Sequence, residues 1–326
     1  MTSTIDVVIP CYRYGKYLKQ SVESVLNQAG VECRVLIIDD ASPDDSADIA
    51  SDLEQRYSNV TLCQHTTNKG HIATYNEGIE WASAEFFLLL SADDYLLPGS
   101  LLRATRLFSD NPDTGMVFGC AQVLFEDGVI EEAIPLQYSG EKQIMSGMEF
   151  IALSGATNIV PTPTAIVRTA LQKRVGGYLP ELPHSGDLEM WIRLATQAKI
   201  GFVNEYQAVY RRHTSNMSST YTEENVMLDF VQRRRALNTA FQNDVFNNDA
   251  KHIRERLVRD LAAQALQAAS AEFNRERTRI SQDLQSFALE TAPSCNRSLP
   301  WLKLGFKRAI GLQSWRTICS VRTLFQ

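Results

Sequence analysis

The stretch EFFLLLSADDYLLPGS, residues 85–100, sets five large apolar residues at 86–90 almost directly against two carboxylates, Asp93 and Asp94. An apolar run of this length without alternation reads as a strand buried on both faces, the kind found in parallel sheets covered by helices. Acids pressed against such a strand need a partner. The pattern recurs upstream. IDVVIP (5–10) is a short apolar strand, and CRVLIIDD (33–40) is a second one that ends on Asp39 and Asp40.

Helical patterns fill the gaps. YLKQSVESVLNQ (17–28) spaces Leu18, Val22, Val25 and Leu26 along one helix face. Ser42, followed by Pro43, Asp44 and Asp45, reads as a helix start, with the amphipathic SADIASDLEQRY (46–57) behind it. NVTLCQH (59–65) is a third strand and HIATYNEGIEWA (71–82) a helix. Strands alternating with helices predict an α/β fold, a Rossmann-like and mostly parallel sheet with helices on both faces. Ligands of such sheets gather beyond the carboxyl ends of the strands, where two acid pairs fall here.

Further along, TGMVFGCAQVLFEDG (114–128) reads as a strand running into a turn, and SGMEFIALSG (146–155) as a helix. PTPTAIVRTALQKRVGGY (161–178) gives a strand and a helix, SGDLEMWIRLATQ (185–197) a helix, and GFVNEYQAVYRRH (201–213) a strand. From 222 to about 292 the chain reads as helical, with Ile253, Leu257, Leu261 and Ala265 on one stripe. TAPSCNRSLP (291–300) reads as a linker. The expected division is a catalytic domain over 1–220, a helical C-terminal extension over 221–292, and a linker with a basic amphipathic tail over 293–326.

Composition narrows the class. With 44% hydrophobic and 21% charged residues the chain is globular, and a net charge of −6 argues against a nucleic-acid partner. The six cysteines show no CxxC and no metal-type spacing, so reduced thiols in a cytoplasmic protein are expected. The strand pattern begins after four residues, which leaves no signal peptide, and no apolar run approaches the ~18 residues of a membrane span. Charge is nevertheless uneven: residues 299–326 hold five basic residues and no acid. There Trp301, Leu302, Phe306 and Ile310 can share a helix face with Lys303, Lys307 and Arg308 beyond it, a pattern that suits an anionic membrane surface. The other reading is a helix docked on the protein, and a membrane contact makes this a peripheral protein of the inner face.

A carboxylate pair at a strand end suits a hard divalent cation, Mn²⁺ or Mg²⁺, which takes oxygen ligands from one or two carboxylates plus substrate phosphates. Such a cation relieves the repulsion between the acids and neutralises a phosphate leaving group. No Gly-rich phosphate loop is present.

The segments VVIPCYRYGKYLKQSVESVLNQ, LIIDDASPDDS and NKGHIATYNEGIEWASAEFFLLLSADD, then PTPTAIVRTALQKRVGGYLPELPHSGDLEMWIRLA and VYRRHTSNMS, occur in an order and spacing that resembles the family 2 inverting glycosyltransferases of the GT-A fold. The likeness runs over roughly residues 5–218. It implies transfer of a sugar from a nucleoside-diphosphate sugar to a hydroxyl of a glycan or lipid-linked acceptor. Pro10 and Tyr12 match the strand end that begins the nucleotide site, with Tyr12 stacking on the base and Arg13 standing where the family carries Asn. Asp39, Asp40, Ser42 and Asp44 match the next element, where Asp40 accepts a hydrogen bond from the base and Asp39 lies beside it. Asn68, Lys69 and Gly70 match a loop flanking the nucleotide, and Lys69 offsets phosphate charge. Asp94 then holds the metal on the diphosphate while Asp93 faces the ribose or sugar. Asp187 matches the catalytic base, with Gly186 where an acid is usual and Glu189 as a second candidate. His213 matches a segment folding over the nucleotide, as metal ligand or phosphate contact. Two alternatives stay open: a nucleotidyltransferase using the same metal-binding acids, and a non-catalytic sugar-binding or scaffold protein.

Overall fold

The computed structural model describes residues 2–132, 144–214, 216, 226–241 and 248–323. The chain divides into two compact units, Met1–Ser154 with Asn158–Ser219, and Gly155–Thr157 with Thr220–Gln326. The expected helix start at 222 and the end of the 211–218 segment fall outside the described residues.

The first unit opens with β1 (Ser3–Cys11), α1 (Gly15–Leu26), β2 (Val31–Asp39), α2 (Ser46–Arg56), β3 (Val60–Gln64), α3 (His71–Trp81) and β4 (Phe86–Leu89). After β4 come β5 (Tyr95–Leu96), α4 (Ser100–Asp110), β6 (Thr114–Phe125), β7 (Ile130–Glu132), β8 (Ile144–Met145) and α5 (Gly147–Ser154). The unit closes with β9 (Ile166–Arg168), α6 (Thr169–Val175), α7 (Gly186–Ala195) and β10 (Lys199–Arg212). The sheet order is β3-β2-β1-β4-β9-β6-β10-β5, with β7 added to β6 and β8 to β10.

Strands β3, β2, β1 and β4 are parallel neighbours, as the apolar runs of β1, β2 and β4 predict. Ile5, Val7, Val8 and Ile9 of β1 and Leu88 of β4 are wholly buried. Beyond β4 the sheet is mixed: β9 runs antiparallel to β4 and β6, and β10 is parallel to β6 but antiparallel to β5. The order reverses at β1, since β2 lies on one side and β4 on the other. That switch opens a crevice at the carboxyl ends of β1, β2 and β4.

At the opposite end of the sheet, Asp6 is buried in the middle of β1. It accepts from Arg34 Nε and Nη2 (2.8 and 2.7 Å) and from the backbone N–H groups of Ser83 and Ala84 (2.6 and 2.8 Å). Burial alone pushes its carboxyl up, but Arg34 and these amides outweigh it and hold Asp6 below the usual range. The stability from this node is present above the unfolded-state value and is lost as pH falls through the lowered one. Gly78 lets α3 lie against β1, because a Cβ there falls 2.4 Å from Val8 Cγ1.

One helix boundary differs from the sequence reading. Ser42 does not start α2, which begins at Ser46. Ser42 is occupied in joining two strand ends: its Oγ accepts from the Arg13 N–H (3.0 Å), and its own N–H donates to Asp39 Oδ2 (3.2 Å).

The second unit is helical, with α8 (Val226–Ala240), α9 (Asn248–Asn274), α10 (Thr278–Thr291), α11 (Leu299–Ile310) and α12 (Leu312–Thr323). Leu257, Leu261 and Ala265 of the expected stripe are wholly buried, joined by Leu284, Phe287 and Leu304. The 291–300 stretch carries a 3-10 turn over Pro293–Arg297, after which Ser298 caps α11. Lys307 does not face outward as the tail pattern has it. It is buried, donates to Ser270 Oγ and Asn274 Oδ1 (2.6 and 3.1 Å), and lies 4.9 Å from the Trp315 ring centroid. The face left exposed is Leu299, Leu302 and Phe306. Among the described residues no helix is long and apolar enough to cross a membrane.

Candidate active site

Three strand ends and the loops behind them build the site. At the end of β1, Pro10 is half-buried and Tyr12 is 41% exposed, a ring presented to solvent rather than packed in the core. Arg13 and Ala41 follow β1 and β2 with φ of 64° and 57°, the left-handed region that non-glycine residues adopt at a cost. Both mark the sharp reversal of the chain at the crevice.

Asp39 is wholly buried. Its Oδ2 accepts from Ser42, and its Oδ1 has no hydrogen-bond partner among the described residues. Asp40 is engaged on both oxygens, accepting from the N–H of Lys69 (2.7 Å) and of Gly70 (2.9 Å) and meeting His65 Nδ1 at 2.7 Å. Burial pushes Asp40 up, but His65 and the two amides hold it below the usual carboxylate range. Asp40 therefore fixes the 68–70 loop, and Asp39 Oδ1 is the acceptor left without a hydrogen-bond partner among the described residues.

The loop is pinned a second time: Glu77 Oε2 lies 3.0 Å from both His65 Nε2 and Lys69 Nζ. Cys63, His65 and Glu77 each bring one donor atom within 4.8 Å of the others, a set with the reach to hold a divalent ion. Both nitrogens of His65 already meet carboxylates, however, so the cluster is closed by hydrogen bonds of its own.

At the end of β4, Asp93 and Asp94 are both buried. Pairing of β10 with β5, Val209 opposite Tyr95, carries the end of β10 over them. Asp93 Oδ2 then meets His213 Nε2 (3.1 Å) and Asn216 Nδ2 (3.2 Å). Asp94 Oδ1 accepts from the Arg211 N–H (2.9 Å). The His213 ring stacks on Tyr17 at 5.5 Å and meets Tyr14 edge-on at 5.4 Å, so His213 orients Asp93. Burial, reinforced by the charge of Asp93, pushes the Asp94 carboxyl well up. A buried acid pair offers carboxylate oxygens, the donor chemistry of a hard cation such as Mn²⁺ or Mg²⁺, with Arg211 the positive charge that acts on Asp94 in its place.

The third acid comes from the start of α7. Asp187 is half-buried and accepts from Thr162 Oγ1 at 2.8 Å. Burial raises its carboxyl, with Thr162, Tyr178, His71 and His184 pulling the other way. Glu189, the second candidate, is buried and paired bidentately with Arg193 (2.9 and 2.8 Å), leaving Asp187 as the candidate base. Tyr75 of α3 meets His71 and Tyr178 edge-on, with ring centroids 5.4 and 5.3 Å apart. Burial and then the charges of Asp187, Asp93 and Asp94 raise its phenol, so all three acids lie within electrostatic reach of one hydroxyl.

The profile of glycosyl transferase family 2 matches residues 6–174, just over half of the chain, a span that includes β1 to β4 and both acid pairs. The chain belongs to glycosyl transferase family 2. Among similar sequences, the putative glycosyltransferase EpsE of Bacillus subtilis is 25% identical over 240 residues, 71% of this chain and 82% of EpsE. A glycosyltransferase of Methanocaldococcus jannaschii is 24% identical over 211 residues, 64% of this chain and 70% of its own. Among solved structures, residues 1–349 of Staphylococcus aureus TarS bound to UDP-GlcNAc superimpose with a TM-score of 0.68 at 18% identity, covering 99% of this chain and 92% of that one. That likeness is one of fold, and the fold is GT-A. As a family 2 member the protein is a glycosyltransferase.

Within this glycosyltransferase, sequence reasoning missed the residues that surround the acids. Tyr14 and Tyr17 carried a signal in the tyrosine-rich CYRYGKY, and Thr162 in the polar PTPT before β9. His65, Tyr75 and Tyr178 carried none, since their roles depend on which loops the sheet brings together.

Proposed function

We propose that the protein transfers a sugar, with inversion, from a nucleoside-diphosphate sugar to a hydroxyl of a glycan or lipid-linked acceptor. One observation carries this reading: the family 2 match takes in the acid pair at the end of β4, while Asp187 stands apart from that pair at the start of α7. Inverting transfer needs these two groups on opposite sides of one anomeric carbon. Tyr12 stacks on the base and Asp39 Oδ1 accepts from it, while Asp40 holds Lys69 and the 68–70 loop against the diphosphate. Asp94 holds a divalent cation, which when bound neutralises the departing diphosphate. His213 keeps Asp93 directed to the ribose or sugar. Asp187 takes the proton of the acceptor hydroxyl as its oxygen attacks. TarS bound to UDP-GlcNAc and a Pyrobaculum calidifontis mannosyltransferase bound to GDP-Man and Mn²⁺ support the donor class, because they share this fold. Released nucleoside diphosphate, read over a panel of UDP-, GDP- and dTDP-sugars with and without Mn²⁺, tests the reading.

The free thiols at Cys11, Cys33, Cys63, Cys120 and Cys295 support a cytoplasmic setting. The second unit supports a place on the inner face of the membrane. Leu299, Leu302 and Phe306 form one exposed stripe on α11, with exposed Arg297 and Lys303 beside it. Residues 220–326 hold sixteen basic and eleven acidic residues, so this part of the chain is positive although the whole is −6. Leu302→Glu with Phe306→Glu is expected to lower co-sedimentation with phosphatidylglycerol vesicles roughly tenfold and leave the weak binding to phosphatidylcholine unchanged. Equal sedimentation of the variant and the native protein with anionic vesicles overturns the membrane contact.

A further inference from the structure

We infer that Cys63, His65 and Glu77 form a second cation site, suited to a thiophilic ion of the Zn²⁺ kind and separate from the acids that face the crevice. The site goes beyond the proposed transfer and does not depend on a cation at Asp94.

One strand supplies two of the three donors. Cys63 lies on β3 opposite Ile38, and His65 follows the last residue of β3, its N–H donating to the Asp39 carbonyl at 2.9 Å. Residues two apart on an extended chain point to the same side, so the sulfur and the imidazole face α3 together. Glu77 of α3 meets both. Its Oε1 accepts from Cys63 Sγ at 3.1 Å, and its Oε2 lies 3.0 Å from His65 Nε2. One donor atom from each residue lies within 4.8 Å of the other two. Zinc bonded to sulfur, nitrogen and oxygen holds neighbouring ligand atoms about 3.5 Å apart, so small side-chain rotations close the set. The hydrogen bonds that close the cluster thus run between the atoms that the ion joins, and the ion takes the place of their protons.

The surroundings suit that ion. His65 Nδ1 meets Asp40 Oδ1 at 2.7 Å, which fixes the ring and directs Nε2 to Glu77. A carboxylate on the far nitrogen is the usual support of a metal-bound histidine. Thiolate and imidazole select zinc over Mg²⁺ and Mn²⁺, whereas Asp93 and Asp94 offer oxygen only, so the two places sort cations by ligand type. β3 stands at the end of the sheet order and the Glu77 side chain is 36% exposed, so an ion and a water as fourth ligand can enter. One charge competes: Lys69 Nζ lies 3.0 Å from Glu77 Oε2. The Lys69 side chain is 48% exposed, and a pair so open contributes little, so Lys69 yields to a dication. Burial, then the hydrogen bond and charge of Glu77, pushes the Cys63 thiol up to about 11. Binding therefore forms the Sγ–Zn bond as the Sγ–H bond breaks, and the proton goes to water.

The test needs no substrate. Full-length protein, reduced and free of any affinity tag, is titrated with Co²⁺, whose spectrum reports the donor set. An equimolar amount is expected to give the near-ultraviolet thiolate-to-cobalt band and the visible bands of a four-coordinate ion, both erased by Zn²⁺. Cys63→Ser removes the near-ultraviolet band, and Glu77→Gln weakens Zn²⁺ binding by at least about tenfold, the loss that even an outer partner of a metal site brings. A native protein without the band, or a band unchanged in Cys63→Ser, overturns the site. Unchanged Zn²⁺ affinity in Glu77→Gln does the same and decides the matter if Cys63→Ser does not fold. Asp94→Ala keeps the band, and its loss there also overturns a separate site. The Asp94 assignment fails by a different result, metal-dependent nucleotide binding surviving in that variant.

Discussion

Asp94→Ala abolishes Mn²⁺-supported binding of the nucleoside diphosphate in calorimetry, with a loss expected to exceed about 100-fold, the upper range for removing even an outer partner of a metal site. The physical reason is local. Asp94 is buried, and its Oδ1 accepts one backbone N–H, from Arg211. Burial and the neighbouring Asp93 make it costly to charge in the absence of a cation. Asp93 differs from it in being tied, through Oδ2, to His213 and Asn216. Full metal-dependent binding by the variant contradicts the assignment.

Asp187→Asn gives the complementary result. The amide keeps the size of the side chain and can still accept from Thr162, but it cannot take a proton. Nucleotide affinity is expected to stay within about twofold of the native value while transfer falls by about 10²- to 10⁴-fold, the usual worth of a positioned general base. The native enzyme carries a matching pH signature. Burial raises the Asp187 carboxyl above the ordinary range, and the base acts only when ionised, so the rate is lost as pH falls through that raised value. The acidic limb of the rate profile therefore lies above that of an unperturbed aspartate. A variant that binds nucleotide less tightly but turns over normally contradicts the role.

The parallel half of the sheet was legible because β1, β2 and β4 hold short apolar runs, and acids stand where those of β2 and β4 stop. The mixed half was less so: β9 is three residues long, and its antiparallel pairing depends on partners distant in sequence. Within the site, the acids could be found from their positions, but the division of labour among them could not. Asp39 and Asp40 are adjacent, and what separates them is the 68–70 loop, whose amides reach only Asp40. The task of Glu189 did leave a trace, since Arg193 follows it by four residues on the same helix face. Ser42 shows the opposite failure, a good local capping pattern overridden by the need to join β1 to β2. Lys307 fails in the same way, a basic residue in a surface-type pattern that is itself buried and finds side-chain acceptors on α9.

The central claim is that this family 2 member breaks the bond between a sugar and a nucleoside diphosphate with the help of a cation at Asp94. Incubating the full chain with UDP-, GDP- and dTDP-sugars, with Mn²⁺ or with chelator, and identifying the released nucleotide tests it most directly. The account predicts nucleoside diphosphate from one donor class, in Mn²⁺ only and absent in Asp94→Ala. Release of pyrophosphate, or equal release of nucleoside diphosphate in chelator, contradicts it.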